Sequence, residues 1–392
     1  MAKTFEQLMS EARKEVKELS VQEVKDLLGK NGKHLLLDVR EKEEFREGHL
    51  AEAVSLPRGF LEIKVETTVP DQSTPVIAYC AGGVRSLLAA KAMKEMGYKE
   101  VFSMSGGYTA WKAAGYKWAE ERQFSAEQST RYSRHFMLPE VGENGQAKLL
   151  DAKVLMVGAG GLGSPSAYYL AAAGVGTMGI IDDDVVDLSN LQRQILHTQD
   201  RIGQPKTESA KQTIQALNPD VRVITYQEKL TSKNIMDIIK DYDIVVDGCD
   251  NFPTRYLIND ACVMAKKPNV HGSIFQFEGQ ASVFDPGNGP CYRCLYPQPP
   301  PAEMAPNCQE AGVLGVLPGL IGVIQAIETI KIILGKGDTL AGRLLCFNTL
   351  TMEITTLNLK ADPSCPVCGE NPSIDHLIDY EEFCNLRATH VA

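Results

Sequence analysis

The first part of the chain, from about Ser20 to Trp118, alternates short apolar runs with segments of helical periodicity. Ser20 and Glu23 have the spacing of a capping box at the start of the helical segment VQEVKDLL. The runs HLLLDV, VIAYC and EVFSM predict strands, whereas SLLAAKAMKEMGY and YTAWKAAG predict helices. Because strands alternate with helices, this part is expected to form a small α/β domain.

A second alternating pattern begins after a polar segment, residues 119–130, that lacks apolar periodicity and is predicted to be a linker. KVLMV, MGIID and YDIVVDG predict strands, and SAYYLAAAGV predicts a helix. A second α/β domain is therefore expected over residues 131–385.

Residues 4–19, ahead of the first domain, also have helical periodicity. The pattern predicts a helix packed on that domain, with a docking helix for a partner as the alternative. The apolar side chains that share its face are Phe5, Leu8, Met9, Ala12, Val16 and Leu19.

The composition is that of a globular protein with two or three domains: 392 residues, 44% hydrophobic and 23% charged. No run of about 18 apolar residues appears, so no membrane span is expected. The charged start, MAKTFEQLMSEARKEVKELS, lacks the apolar core of a signal peptide, which favours the cytoplasm.

The net charge of −10 argues against nucleic acid as a partner. In a reducing cytoplasm, the ten cysteines indicate metal ligation or thiol chemistry.

Four glycines lie directly between a predicted strand and a predicted helix: Gly158, Gly160, Gly161 and Gly163. Glycine permits a tight turn and close approach to phosphate, and the helix N-terminus favours negative charge. Asp182 ends the next strand, 19 residues after Gly163, where a ribose hydroxyl would bind. These features predict a nucleotide site, and an NAD-binding Rossmann domain satisfies them equally well.

Charged residues after the glycine loop help to distinguish hydride transfer from adenylyl transfer. Arg193 lies in SNLQRQ, Lys206 follows, and Asp250 and Asn251 come at the end of a later strand. Hydride transfer requires no such cluster at the phosphates, whereas attack at an α-phosphate requires cations and a metal to neutralise the developing charge. The cluster therefore favours adenylyl transfer over dehydrogenation.

GAGGLG, SNLQRQ and DGCDN, with RYSRHFMLPEVGENGQAKL upstream, resemble the MoeB/ThiF family, relatives of the ubiquitin-activating enzymes. The resemblance covers roughly residues 128–385 and implies a homodimer that uses ATP. It implies that Asp250 lies near Mg²⁺, that Arg134 reaches the phosphates from the neighbouring subunit, and that Arg193, Lys206 and Asp250 are catalytic. The residues that it implies in ATP binding are Gly161, Asp182, Ser189, Asn190, Arg193, Lys206, Asp250 and Asn251.

Two Cys-x-x-Cys pairs, CYRC and CPVC, can each present two thiolates on one turn. Cys291, Cys294, Cys365 and Cys368 together complete a tetrahedral Zn²⁺ site, whose role would be structural because protein fills every position. For a single pair, a redox dithiol is the alternative. The MoeB/ThiF resemblance implies zinc ligands at matching positions.

Cys308, in APNCQEAGVLGVLPG, lies outside both pairs. A helix that begins after it would favour its thiolate. An inert, semi-buried thiol is the alternative. Some members of the resembled family carry a cysteine here that bonds the C-terminus of the activated carrier protein, and others work without it. Cys308 is accordingly a candidate catalytic residue.

LLLDVREKEEFREGHLAEAVSLP, VIAYCAGGVRSLLAAKAMKEMGY and MSGGYTAWKAAG resemble a single rhodanese domain over residues 18–118. This resemblance implies that four residues fix the active loop structurally: Asp38, Arg40, Glu44 and His49.

The loop CAGGVR has four residues between Cys80 and Arg85, whereas related phosphatases have five and a wider cradle for phosphate. The shorter ring matches the sulfurtransferase version, which is sized for a sulfur atom on the cysteine. Converging N–H groups and the N-terminus of the following helix would stabilise a thiolate and a persulfide alike. Cys80 and Arg85 are therefore expected to be catalytic.

The expected architecture is a small rhodanese-like α/β domain followed by a Rossmann-like domain of the ubiquitin-activating type with a four-cysteine zinc site. The expected reaction is ATP-dependent adenylylation of the Gly-Gly carboxylate of a ubiquitin-like sulfur carrier, and sulfur transfer from a Cys80 persulfide then gives a thiocarboxylate. A persulfide or thiosulfate would supply the sulfur, and molybdopterin biosynthesis is the favoured pathway. The alternatives are the same chemistry for thiamine, tRNA thiolation or cysteine synthesis, an ATP-binding sulfide or redox sensor, and an NAD-dependent oxidoreductase.

Overall fold

The computed structural model describes residues 3–29, 34–120, 122–299 and 312–378. The chain divides into two compact units, Met1–Ser125 and Ala126–Ala392. Each unit has its own sheet and its own hydrophobic core. The predicted domain boundaries, 18–118 and 131–385, fall inside these units and stay predictions.

The described part of the first unit contains five strands, β1 (Lys17–Leu19), β2 (Leu35–Asp38), β3 (Val54–Ser55), β4 (Val76–Tyr79) and β5 (Val101–Met104). All are parallel, in the order β1-β5-β4-β2-β3. The described helices around them are α1 (Phe5–Glu15), α2 (Val21–Gly29), α3 (Lys42–Arg46), α4 (Leu61–Thr68), α5 (Val84–Glu95) and α6 (Gly107–Ala113).

The central strand β4 is buried on both of its faces. Val76 and Ala78 pack in one apolar cluster, and Ile77 and Tyr79 pack in another. Because successive side chains of a strand point to opposite faces, these two clusters cover the two sides of the sheet. The strand ends at Tyr79, and the next residue, Cys80, continues the alternation and is itself buried.

The predicted capping pair is confirmed, whereas the helix predicted over residues 4–19 is shorter than expected. Ser20 and Glu23 form the predicted capping pair at the start of α2, with Glu23 N–H donating to Ser20 Oγ at 3.3 Å. Helix α1 packs against α5 and buries Met9 and Ala12. Phe5 at the first turn of α1 remains 61% exposed.

The prediction of one helix over residues 4–19 is wrong at its end: α1 stops at Glu15, and residues 17–19 form β1, which pairs with β5. Val16 and Leu19 are nevertheless buried, each 3% exposed, so the predicted apolar face covers the domain with all but its first turns.

The second unit contains the strands β6 (Lys153–Val157), β7 (Thr177–Ile181), β8 (Arg222–Tyr226), β9 (Ile244–Asp247), β10 (Asn269–Phe275), β11 (Glu278–Phe284), β12 (Arg343–Asn348) and β13 (Glu353–Asn358). They form one sheet in the order β13-β12-β11-β10-β9-β6-β7-β8. The strands from β8 to β10 are parallel, and those from β10 to β13 are antiparallel.

The described helices of this unit connect the strands or cover the sheet. They are α7 (Ala126–Arg131), α8 (Ser133–Phe136), α9 (Gly142–Asp151), α10 (Gly163–Ala173), α11 (Lys206–Leu217), α12 (Ile235–Ile239), α13 (Phe252–Ala265), α14 (Tyr292–Leu295) and α15 (Val316–Leu334). The chain runs outward from β6 to β7 and β8 and then returns to β9 on the other side of β6. This reversal opens a crevice at the carboxyl ends of β6 and β9, where α/β sheets bind ligands.

Helix α15 is the one helix of the described chain that is long and apolar enough to span a membrane, with a mean hydropathy of 1.7. The sequence did not predict a helix of this length and hydropathy, because no uninterrupted apolar run of that length is present. Gln325 from this helix donates to the carbonyl groups of Asp247 and Val270 at 2.7 and 3.0 Å. Glu328 accepts from the Leu340 N–H at 2.7 Å. These hydrogen bonds to buried backbone are those of a core helix.

The segment predicted as a linker, residues 119–130, is partly structured. Ala119 forms a backbone bridge with His49, and helix α7 begins at Ala126. The polar composition of this segment fits both a flexible linker and a short exposed helix, so it did not predict α7.

Candidate functional sites

The loop that follows β4 folds tightly around the Cys80 side chain. Cys80 is 1% exposed, and its Sγ accepts a hydrogen bond from the Gly83 N–H at 3.1 Å. Gly83 has a φ of 97° and is the N-cap of α5, so the helix begins within the loop. A residue other than glycine would be strained at this φ. The structure therefore brings together Cys80, the Gly83 N–H and the N-terminus of α5.

The outer side of the same loop is held by the first turn of α6. The N–H groups of Tyr108 and Thr109 donate to the carbonyl groups of Cys80 and Ala81 at 2.8 and 3.0 Å. A Cβ atom at Gly107 would lie 2.2 Å from the Cys80 carbonyl oxygen. The carbonyl groups of Cys80 and Ala81 thus point toward α6, whereas the Gly83 N–H points to the sulfur. Gly107 was not predicted from the sequence, although the Gly-Gly pair before a helix was a usable signal.

Arg85 is held by a bidentate ion pair. Its Nη1 and Nη2 donate to Glu44 Oε2 and Oε1 at 2.6 and 2.7 Å. This pairing lowers the pKa of the Glu44 carboxyl group. The pKa of Arg85 is raised, mainly by Glu44 and to a smaller extent by Cys80. In the same unit, Arg40 pairs with the buried Asp38 at 2.6 Å. The predicted structural role of Asp38, Arg40 and Glu44 is consistent with these contacts.

The close approach of α6 to the loop generates the first prediction. In Gly107→Ala, the added methyl group would overlap the Cys80 carbonyl, and the φ of 54° would be strained. We expect a loss of unfolding free energy of about 2 kcal/mol or more and a changed rate of Cys80 alkylation by iodoacetamide. Gly59→Ala is the matched control, because no atom lies within 4 Å of its added Cβ. Equal stability of the two variants would contradict the proposed packing.

A cleft of about 350 Å³ lies at the carboxyl ends of β6, β7 and β9. Most residues predicted to contact a nucleotide line it: Gly161, Asp182, Arg193, Lys206, Asp250 and Asn251. Ser189 and Asn190 are not among the lining residues; their turn is capped by Asp187, whose side chain accepts from the Ser189 N–H at 2.8 Å. Arg134 is exposed in α8 and does not line the cleft either.

The glycine loop brings backbone against backbone at one side of the cleft. Gly158 has a φ of 93°, and a Cβ atom at Gly163 would lie 2.0 Å from the Gly158 carbonyl oxygen. Helix α10 begins at Gly163, so its N-terminus faces the loop. This tight strand-to-helix turn is the geometry that nucleotide-binding sheets use to admit a phosphate.

Asp182 is fixed by two backbone donors at the end of β7. Ala159 N–H and Asp184 N–H donate to its two carboxylate oxygens at 2.8 and 2.9 Å. Burial raises the pKa of Asp182, and the Lys206 ammonium opposes that shift. The Asp182 carboxylate is therefore held in one orientation by the backbone, and its contact with a ribose stays a prediction.

The charged residues of the cleft differ in their surroundings. Lys206 is 6% exposed and pairs with Asp184 at 2.7 Å, whereas Arg193 donates to the Ser189 carbonyl at 3.1 Å. Asp250 is exposed at the mouth of the cleft, where its carboxylate is available to a cation. The arrangement thus places two cations and an exposed carboxylate around one cavity, as the sequence predicted.

Two further residues line the cleft that the sequence did not single out. Gln194 is 4% exposed, and its Oε1 has no hydrogen-bond partner within the part of the chain that is described. Arg255 donates to the carbonyl groups of Cys249 and Gly272 at 3.0 and 3.3 Å. Gln194 ends the SNLQRQ motif and Arg255 follows the Asp250 motif, so both lay beside sequence signals that were already recognised.

Four cysteines from the two Cys-x-x-Cys pairs come together as predicted. The sulfur atoms of Cys291 and Cys365 are 3.6 Å apart, and those of Cys294 and Cys368 are 3.4 Å apart. All four lie within 4.8 Å of one another. A tetrahedral metal with bonds of about 2.3 Å requires sulfur separations of about 3.8 Å. The cluster therefore fits a metal ion. Cys308 lies outside the described residues.

These sites define the class of protein: an α/β chain that combines a tight cysteine loop at a helix N-terminus, a cleft at the carboxyl ends of Rossmann-like strands and a four-cysteine cluster. Residues 132–367 match the model of the ThiF family, and residues 20–114 match that of the rhodanese-like domain. The chain belongs to the ThiF family and carries a rhodanese-like domain ahead of the ThiF domain, which confirms both resemblances.

Several known proteins are similar to the chain. Adenylyltransferase and sulfurtransferase MOCS3 of Culex quinquefasciatus is 53% identical over 260 residues, which are 66% of this chain and 59% of that protein. Sulfur carrier protein adenylyltransferase of Thermus thermophilus is 50% identical over 270 residues, which are 68% of this chain and 100% of that protein. A crystal structure of E. coli MccB with AMPCPP and SeMet MccA is 26% identical, with a TM-score of 0.52, over 62% of this chain and 75% of that one.

Proposed function

We propose that the chain adenylylates the C-terminal Gly-Gly carboxylate of a ubiquitin-like sulfur carrier and converts the product to a thiocarboxylate with sulfur from Cys80. The observation that carries the proposal is the pairing of the cysteine loop and the nucleotide cleft within one chain. The names of the Culex and Thermus relatives support it. We favour molybdopterin biosynthesis, and thiamine synthesis, tRNA thiolation or cysteine synthesis would use the same chemistry.

In the first step, the carrier carboxylate would attack the α-phosphate of ATP and release pyrophosphate. Arg193 and Lys206 line the cleft and would neutralise charge on the phosphoryl oxygens. Asp182 would bind the ribose, and Gly161 would let the backbone approach the phosphates. Asp250 would hold Mg²⁺, which supplies additional positive charge when bound.

Among the remaining predicted ligands, Asn251 lines the cleft, whereas Ser189, Asn190 and Arg134 do not. We propose that Asn251 contacts ATP from the cleft wall and that Ser189 and Asn190 contact it from the rim. We propose that the exposed Arg134 serves the cleft of the partner subunit in a homodimer. We propose a cytoplasmic location for the protein.

In the second step, the terminal sulfur of a Cys80 persulfide would attack the activated carbonyl carbon. Attack on the adenylate would release AMP; with Cys308 as an intermediate thioester, it would release the Cys308 thiolate. Either route forms an acyl disulfide on Cys80. A second thiolate would then attack the Cys80 sulfur and release the thiocarboxylate, and a thiol reductant would reopen the resulting disulfide.

We propose that the four-cysteine cluster holds Zn²⁺ in a structural role. The sulfur separations of 3.4 and 3.6 Å fit this ion, and four protein ligands leave no open position for catalysis. The ligands come from residues far apart in the chain, so the metal would stabilise the folded second unit.

The zinc proposal predicts that Cys365→Ser lowers both metal content and stability. Wild-type protein should contain about one Zn²⁺ per chain, whereas the variant should lose most of it and unfold at a lower temperature. Mass spectrometry of metals and thermal unfolding measure the two effects. Cys346→Ser is the control, because Cys346 lies outside the cluster. Equal zinc content in the two variants would contradict the assignment.

The adenylylation proposal predicts carrier-dependent exchange of pyrophosphate into ATP. Asp250→Ala should lower the exchange rate by about 100-fold or more. The variant would no longer hold the Mg²⁺ ion that neutralises negative charge at the phosphates. Asp237→Ala is the control, since this exposed residue of α12 lies outside the cleft. Absence of exchange with every Gly-Gly carrier tested would contradict the proposed activation.

The sulfur-transfer proposal predicts that Cys80→Ala separates the two activities. The exchange rate should stay within about twofold of wild type, whereas the thiocarboxylate should no longer form from thiosulfate or a persulfide. Mass spectrometry of the intact carrier detects the thiocarboxylate. Continued thiolation of the carrier by this variant would show that the loop is not the sulfur source.

A further inference from the structure

The guanidinium group of Arg85 beside Cys80 already has an anionic partner. Its two terminal nitrogens donate to the two carboxylate oxygens of Glu44 at 2.6 and 2.7 Å. Both side chains are 35% exposed, so the pair lies at the surface end of the loop. The planar fork of an arginine binds carboxylates and other oxyanions through this same bidentate geometry. Glu44 therefore occupies the face of Arg85 that would otherwise bind an oxyanion.

Glu44 is itself held in place by the backbone. Its Oε2 accepts a hydrogen bond from the Glu41 N–H at 3.1 Å, as part of the capping box of α3. The adjoining Phe45 is buried, which anchors the helix. The carboxylate is thus positioned by its own helix and not only by Arg85. An incoming oxyanion would have to displace a partner that the fold presents to Arg85.

We infer that Glu44 is a specificity-determining residue that restricts the Cys80 loop to persulfide donors and disfavours thiosulfate. The inference rests on the proposed sulfurtransferase function and deepens it by naming the class of sulfur donor. The Glu44–Arg85 pair has little net charge, so the attraction for a dianion would come from the Gly83 N–H and the N-terminus of α5. Arg40 does not compensate, because it is paired with Asp38.

The two donors differ in the group that must leave. With thiosulfate, the Cys80 thiolate attacks the outer sulfur, a new S–S bond forms, the S–S bond of thiosulfate breaks, and sulfite departs with two negative charges. With a persulfide, the thiolate attacks the terminal sulfur and a thiolate departs with one negative charge. Total charge is conserved in both reactions. A free guanidinium would stabilise sulfite more than a thiolate, and Glu44 removes that advantage.

Single-turnover formation of the Cys80 persulfide tests the inference without a carrier or ATP. The full chain is mixed with thiosulfate or with cysteine persulfide and then alkylated. The alkylated persulfide of Cys80 is separated from the alkylated thiol by mass and quantified by mass spectrometry. Glu44→Gln keeps an acceptor for the α3 cap but removes the charge. It should raise the rate constant for thiosulfate about tenfold and that for cysteine persulfide less than about threefold. The thiosulfate gain should shrink at high salt, because it is electrostatic.

Two further variants show whether the effect acts through Arg85. Glu43→Gln removes a charge from the neighbouring exposed position of α3 and should match wild type with both donors. Glu44→Gln combined with Arg85→Ala should lose the thiosulfate gain. Equal changes for both donors, or no thiosulfate gain in Glu44→Gln, would overturn the inference. Absence of the persulfide with both donors in wild type would instead contradict the sulfurtransferase function, and the inference with it.

Discussion

Both sites depend on backbone packed against backbone at a strand-to-helix turn. A Cβ atom at Gly163 would lie 2.0 Å from the Gly158 carbonyl oxygen, and one at Gly107 would lie 2.2 Å from that of Cys80. No side chain fits at either place. The close approach of the backbone accompanies a helix N-terminus at each site, and a helix N-terminus favours a bound anion. The cleft and the loop are two uses of this constraint.

The two sites differ in the charged side chains that surround them. In the cleft, Lys206 and Arg193 face a cavity whose mouth carries the exposed Asp250, an arrangement suited to a triphosphate and its metal. At the loop, Arg85 is neutralised by Glu44, an arrangement suited to a sulfur atom with a single charge. One chain thus contains a site that attracts a highly charged substrate and a site that does not. This division matches the two reactions proposed, activation of a carboxylate and delivery of sulfur.

Local sequence signals predicted the elements and much of the site. The Ser20–Glu23 capping pair, the strand β6 and the glycine turn at Gly158 all appear where the pattern placed them. These features depend on neighbouring residues, which is why periodicity and turn chemistry suffice to predict them.

Contacts across long stretches of chain could not be predicted in the same way. Glu44 and Arg85 are 41 residues apart, and they meet only because β2 and β4 are neighbours in the sheet. Nothing in the hydrophobic pattern encodes that strand order. The two cysteine pairs are 74 residues apart, and their meeting was predicted only because metal chemistry requires four ligands. Gln194 was missed for the same physical reason, since its place in the cleft depends on how SNLQRQ folds back on the glycine loop.

The central claim is that sulfur moves from Cys80 to a carboxylate that the same chain has adenylylated. The most direct measurement follows isotopically labelled sulfur. The chain is loaded with a ³⁴S persulfide on Cys80, freed of excess donor, and incubated with a Gly-Gly carrier in the presence or absence of ATP. The account predicts a carrier thiocarboxylate that contains ³⁴S and forms only with ATP. An unlabelled thiocarboxylate, or labelling that does not require ATP, would contradict it.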